Sequence, residues 1–291
     1  MSNLRIGTCS WKYDSWKGLI YPNEPKINYL HEYSNHYSTV EIDQWFWSLF
    51  GEKKINLPQL HDVETYTKSV DEDFRFSIKV PNSITLTHFY NRSKSDPLKA
   101  NPYFLSEELT NEFLKTLEPM KDKLGPLMLQ FEYLNKHKMK SQHDFQLQLA
   151  NFCDKIIRNY LWGIEIRNPN YLNKTYFEFL KEYDLIPVFL QGYYMPPIFE
   201  LIEKFIDLLP KTVVIRLHGP DRKGIEVKSG GEWNKIIEPK DVELEKLVYI
   251  ISLLLSKQID IYINVNNHYE GSAPLTIKKI EKLLKEQGVK S

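Results

Sequence analysis

The feature that most constrains this chain is an alternation. Eight short apolar runs recur along it, at Leu4–Cys9, Ser38–Asp43, Phe74–Val80, Pro126–Phe131, Trp162–Arg167, Ile186–Leu190, Thr212–His218 and Asp260–Asn266. Between them lie longer segments with 3.6-residue periodicity. Phe145, Leu149, Phe152 and Ile156, for example, line one face behind Ser141 and Asp144, which open that segment in the manner of a capping box. Asp241 is a candidate N-cap before the apolar stretch Leu247–Leu255, with Glu243 and Glu245 in the first turn. Pro274 sits where a last helix begins. Strands alternating with helices predict a parallel sheet covered by helices.

Such units also build open doubly wound sheets, and the loops decide between the two. Helix-to-strand connections are short, as at 72–73, 184–185 and 210–211. Strand-to-helix connections are long: 10–25, 44–56, 81–105 and 219–240. All the elaborated loops therefore leave one end, the C-terminal end of the strands, which is the functional end of a barrel. The expected fold is a (β/α)8 TIM barrel, one domain over residues 1–291. The two longest loops carry His88, Tyr90 and Arg92, and Arg222, Lys223, Gly230, Gly231 and Trp233.

Side chains two apart on a strand share a face. Glu41 and Asp43, Glu165 and Arg167, Arg216 and His218, and Asn264 and Asn266 each bracket one apolar residue. If that residue faces the helices, the polar pair points into the barrel. Ser77 and Lys79 follow the same parity, and Gln130 ends strand four. Barrel strands ordinarily read as Val/Ile/Leu runs, and buried charge is costly unless paired. Two explanations fit. One is a paired polar layer sealing the barrel top, with Glu165 on Arg167 or Arg216 and Glu41 on Lys79. The other is a site. There Glu41, Glu165 and His218 are candidate proton-transfer groups, and Lys79, Arg167 and Arg216 form an anion clamp. Asp43, Gln130, Asn264, Asn266 and Asn267 complete the candidate substrate contacts.

A metal held by Glu41, Asp43, Glu165 and His218 is an alternative. However, three cations would oppose the ion, and no His-x-His, His-Glu-x-x-His or Cys-x-x-Cys spacing occurs. No metal is assigned, and no cofactor is named by any motif. Cys9 ends strand one and reads as a small buried residue before it reads as a nucleophile. Trp11, Trp16, Trp45, Trp47 and Trp233 fall in or beside the strand-to-helix loops, where they either stack on a sugar or base or anchor the loops.

Lys plus Arg and Asp plus Glu balance at 38 each, which disfavours nucleic acid as a partner. Two cysteines build no disulfide framework. No apolar run approaches the ~20 residues needed to span a membrane. A first strand at Leu4 leaves no room for a signal peptide. The expectation is a cytoplasmic protein with a small-molecule ligand. Oligomeric state is not legible.

The run Ile6-Gly7-Thr8-Cys9-Ser10-Trp11, with Trp16-Lys17-Gly18 and Tyr21-Pro22, resembles the opening of the YecE-like family. Val40-Glu41-Ile42-Asp43 with Phe46-Trp47 and Phe74 to Pro81 are similar to its next two strand motifs. Lys123 to Pro126 with Gln130-Phe131, Glu165-Ile166-Arg167, Arg216 to Gly219 and Asn266-Asn267 follow in family order. The resemblance runs from Arg5 to Leu284 and implies a TIM barrel of unknown function. Asp43, Glu132, Asn168 and Thr276 depart from its usual residues, and the added acids weaken a pure anion clamp. Three functions follow as expectations. The first is an enzyme acting by acid/base chemistry on a small anionic or sugar-like substrate. The others are a metal-dependent hydrolase or isomerase, and a non-catalytic ligand- or partner-binding barrel.

Overall fold

The eight apolar runs become eight parallel strands because each can bury both faces, one against helices and one inside a barrel. A computed structural model describes residues 3–51, 54–90, 93, 96–156 and 159–289. The strands are β1 (Leu4–Cys9), β2 (Thr39–Ile42), β3 (Arg75–Lys79), β4 (Leu124–Gln130), β5 (Trp162–Glu165), β6 (Ile186–Gly192), β7 (Thr212–Gly219) and β8 (Asp260–Val265). They pair in sequence order, and β1 closes on β8 through Leu4↔Ile261 to Thr8↔Val265. The fold is a (β/α)8 TIM barrel.

The helices are α1 (Tyr29–Ser34), α2 (Leu60–Lys68), α3 (Asn82–Thr85), α4 (Glu107–Thr116), α5 (Gln142–Cys153), α6 (Lys174–Glu182), α7 (Ile198–Phe205), α8 (Arg222–Ser229), α9 (Asp241–Ser256) and α10 (Ala273–Glu286). Ser141 caps α5, accepting from the Asp144 amide at 3.0 Å, as its sequence position predicts. Asp241 is not a cap. It is the first helical residue of α9, and its carboxylate is drawn 2.5 Å from Lys279 Nζ of α10. The apolar stretch of α9 buries Leu247, Val248, Ile250, Ile251 and Leu254. Among the described residues no helix is long and apolar enough to cross a membrane.

Strand parity divides the core in two. Outward residues such as Val40, Ile78, Leu129, Ile164, Ile215 and Val265 join the helices in one large cluster. Inward residues Met128, Ile186, Val188, Val214 and Tyr262 pack as a separate plug in the lower barrel. The inward face needs room at β1. A Cβ at Gly7 would lie 2.0 Å from the Thr39 carbonyl oxygen, so glycine alone lets β1 pass there. β6 runs two residues beyond the expected end. Gly192 (φ 132°) makes this possible, since a Cβ there would stand 2.3 Å from the Gly219 carbonyl oxygen.

The long loops are built, not slack. Residues 219–240 contain α8, capped by Asp221 on the Gly224 amide and closed by Gly230 at φ 63°. Residues 81–105 contain α3 and an antiparallel bridge between His88 and Ala100. Arg92 lies outside the described residues. Trp11, Trp16, Trp45 and Trp233 are buried and anchor these loops, leaving only Trp47 exposed among the five expected to stack on a ligand.

Candidate functional site

The parity argument places Glu41, Glu165 and Arg216 inside the barrel, and the closed sheet brings them together. Arg216 Nε and Nη2 donate to the two oxygens of Glu41 at 2.8 and 2.6 Å. Its Nη1 donates to Glu165 Oε2 at 2.5 Å and to Gln130 Oε1 at 3.3 Å. Arg167 Nε reaches the other Glu165 oxygen at 2.6 Å, and its Nη2 reaches the same Gln130 oxygen at 3.3 Å. Strands β2, β4, β5 and β7 are thus tied across the barrel by one planar guanidinium using four of the five N–H donors an arginine has.

All three members are buried. Burial alone would raise the Glu165 carboxyl, but the Arg167 and Arg216 charges outweigh it and hold it at about 2. Burial would likewise lower the Arg216 guanidinium, but Glu165 and Glu41 carry it well above its ordinary value. The expected pairing of Glu41 with Lys79 is therefore replaced by Glu41 with Arg216. Lys79 makes no ion pair among the described residues. Its ammonium lies 3.9 Å from the centre of the Phe46 ring instead.

Above this layer opens a cavity of about 310 Å³. Of the expected contacts, Asp43, Lys79, Gln130, Arg167, Arg216, His218 and Asn266 line it. Glu41 and Glu165 lie beneath it. Asn264 is fully buried on β8, and neither polar atom of its amide has a hydrogen-bond partner among the described residues; the Ser77 hydroxyl on β3 is in the same position. Asn267 has a structural duty, accepting the Ala273 amide at 2.8 Å at the start of α10. Glu41, Glu165, Asn264 and Asn267 therefore do not form the cavity wall.

The groups on the wall are electrostatically displaced. Burial, then the charge of Glu41, raises the Asp43 carboxyl. Burial, then Arg216, lowers the Lys79 ammonium. Burial, then Arg216, Arg167 and Lys79, pushes the His218 imidazole well below its ordinary value. His218 Nδ1 lies 3.3 Å from the Tyr193 hydroxyl and Nε2 3.7 Å from Cys9 Sγ. Burial and then Glu41 raise the Cys9 thiol, which keeps it protonated and unreactive.

The wall also holds residues that sequence reasoning did not select: Tyr13, Phe46, Glu132, Tyr193, Arg222 and His268. Arg222 pairs with Glu226 at 2.8 Å and Glu132 with Lys138. Tyr193 follows the β6 extension, so a signal for it existed in Gln191-Gly192-Tyr193 once strand six is carried past Leu190. Trp47 and Tyr90, both more than half exposed, form an aromatic lip with ring centres 6.3 Å apart. Among the described residues no three His, Cys, Asp or Glu side chains are grouped to hold a metal ion. The Glu41 and Glu165 oxygens that a metal would need are taken by Arg216 and Arg167.

Crystal structures of two proteins share the architecture. A DUF72 family protein from Enterococcus faecalis is 20% identical, with a TM-score of 0.68 over 97% of this chain and 95% of its own. A DUF72 family protein from Thermotoga maritima is 19% identical, with a TM-score of 0.66 over 97% and 99%. At that identity the likeness speaks for the fold. No curated protein matches the chain. The family described as "Protein of unknown function DUF72" matches residues 5–291. With a matched barrel and a match over nearly its whole length, the chain belongs to the YecE-like (DUF72) family.

Proposed function

We propose that this protein is an enzyme acting by acid/base chemistry on a small sugar-like substrate held in the barrel mouth. The observation that carries the reading is the charge balance of that mouth. Its cations are Lys79, Arg167, Arg216 and Arg222, with Lys138 paired to its wall. Its acids are Asp43 and Glu132, with Glu41, Glu165 and Glu226 paired to its wall. With Asp43 held as the neutral acid, five cations meet four carboxylates, so little positive charge is left over for a strongly anionic ligand. Dense planar donors and acceptors beneath an aromatic lip suit a neutral polyhydroxylated ring, whose hydroxyls need partners and whose C–H face stacks on aromatic rings.

The acid/base roles shift from the glutamates to the wall. Glu41 and Glu165 hold Arg216 rigid and set the local field. Asp43, with its raised carboxyl, is the proton donor, and the neutral His218 imidazole is the proton acceptor, steadied by Tyr193. Oppositely displaced titratable groups around one cavity are the usual mark of such assignments. Lys79 and Arg167 orient the substrate hydroxyls.

Saturation-transfer NMR with a set of neutral hexoses and pentoses tests binding, and product NMR tests turnover. Wild type is expected to bind and convert at least one sugar. Trp47→Ala weakens binding, and Asp43→Asn keeps binding but loses turnover. If inorganic phosphate protects the protein against thermal unfolding while every sugar leaves it unchanged, the mouth is an anion site and the reading fails.

A further inference from the structure

The mouth adjoins a second hollow. Arg167 and Tyr193 line the mouth, and the same two residues line this hollow of about 710 Å³ outside the ends of β5 and β6. Its other walls are Tyr133, Pro169, Asn170, Tyr194 and Met195. Tyr194 is 96% exposed and Tyr133 58%. A scattered exposed tyrosine is ordinary, but apolar surface gathered around one hollow is not.

The backbone at the junction is bent to make this arrangement. Tyr193 has φ 53°, a left-handed conformation that a bulky residue adopts only when its surroundings impose it. The Tyr193 amide donates to the Gly219 carbonyl at 2.9 Å, and its hydroxyl turns toward His218. The next residue, Tyr194, stands exposed at the edge of the hollow. The Arg167 guanidinium lies 5.1 Å from the centre of the Tyr193 ring, so one flat cation and one aromatic face form the threshold between the two spaces.

We propose that this hollow is a subsite for an aromatic aglycone, so that the substrate is an aryl glycoside with its sugar in the mouth and its aromatic ring on the tyrosine shelf. The inference rests on the sugar-like reading of the mouth and deepens it. The chemistry of the lining selects the occupant. Three tyrosine rings, a proline and a polarizable thioether offer faces and edges for stacking. Only Arg167 and Asn170 are polar besides the tyrosine hydroxyls. A second sugar ring would find few protein partners for its hydroxyls there, whereas an aryl ring needs none and gains from stacking. The two spaces share Arg167 and Tyr193 as lining, so they lie side by side and one ligand can occupy both.

The test compares 4-nitrophenyl with methyl glycosides of glucose, galactose and mannose, and 4-nitrophenol alone, by isothermal titration calorimetry. One stacked ring is worth roughly tenfold in affinity. Wild type is expected to bind an aryl glycoside about tenfold more tightly than the methyl glycoside of the same sugar. Tyr194→Ala and Tyr133→Ala, both at exposed positions that leave folding intact, are expected to erase that advantage without changing methyl glycoside binding. Methyl and aryl glycosides binding equally overturns the subsite and leaves the sugar-binding mouth standing. An aryl advantage that survives both tyrosine variants overturns it too, because the ring then sits elsewhere. If no glycoside of either kind binds, the mouth reading itself falls and the subsite falls with it.

Discussion

Replacing Arg216 by methionine tests the organisation of the barrel top most directly. Methionine keeps much of the side-chain volume and removes the charge. In wild type the guanidinium joins Glu41 and Glu165, all three buried. The Glu165 carboxyl sits at about 2 against an ordinary 4.5, a difference that corresponds to roughly 3 kcal/mol in favour of its charged form after the opposing cost of burial. Arg167 keeps a share of that in the variant, since it holds the other Glu165 oxygen. Glu41 keeps none, because its only ion pair among the described residues is with Arg216. Breaking a buried pair from one side costs about 3–5 kcal/mol, and an uncompensated Glu41 places this case in that range.

The sign of the pH dependence separates this account from a simple packing loss. A depressed carboxyl such as Glu165 contributes stability that is fully present above pH 4.5 and is lost as the pH falls toward 2. Glu165 therefore adds no pH dependence to wild type between pH 7 and pH 5. Arg216→Met carries a buried unpaired carboxylate at pH 7, and protonation relieves it as the pH falls. Urea unfolding at both pH values is the assay. The variant is expected to be destabilised by about 3–5 kcal/mol at pH 7 and to recover part of that at pH 5. Adding Glu41→Gln to Arg216→Met is expected to recover part of it at pH 7. A loss below ~1 kcal/mol, or a pH slope parallel to wild type, refutes the reasoning.

Other perturbations have equally definite outcomes. Because Asp43 is raised by burial and by Glu41, its contribution is fully present at low pH and is lost as the pH rises through its folded titration. Asp43→Asn should therefore raise the urea midpoint at pH 7, with the gap closing in acid; a lower midpoint at pH 7 refutes the assignment. His218 is held well below 6.5, so its ring signals in NMR should stay those of neutral imidazole at pH 6. Its contribution to stability is present above pH 6.5 and fades as the unfolded chain takes up the proton; a folded-state titration near 6.5 contradicts this. Gly7→Ala drives a Cβ to within 2.0 Å of a backbone oxygen that cannot swing aside, and should cost about 3 kcal/mol or more in thermal unfolding. A change within ~0.5 kcal/mol would show that β1 and β2 separate more easily than their register suggests.

What the sequence determined by itself is what depends on local period. Strand and helix identity, loop asymmetry and the inward face of each strand follow from spacings of two and 3.6 residues, and a neighbour two positions away is enough to read them. Glu41, Arg167, Arg216 and His218 were selected that way, and so was the polar layer they form. Whom each residue meets was decided only by closure of the barrel. Glu41 pairs with Arg216, 175 residues distant and across the barrel, and not with Lys79 on the neighbouring strand, because the inward side chains converge toward the axis. Tertiary packing also buried four of the five loop tryptophans and turned Asn267 into a helix support. The tyrosine shelf was invisible for the same reason. Tyr193 follows directly on β6, but Tyr133, Tyr194 and Met195 sit on irregular loops with no period to read, and only the docking of those loops on the rim makes them one surface. Protonation followed the structure as well, since burial and neighbouring charge act through space and not along the chain.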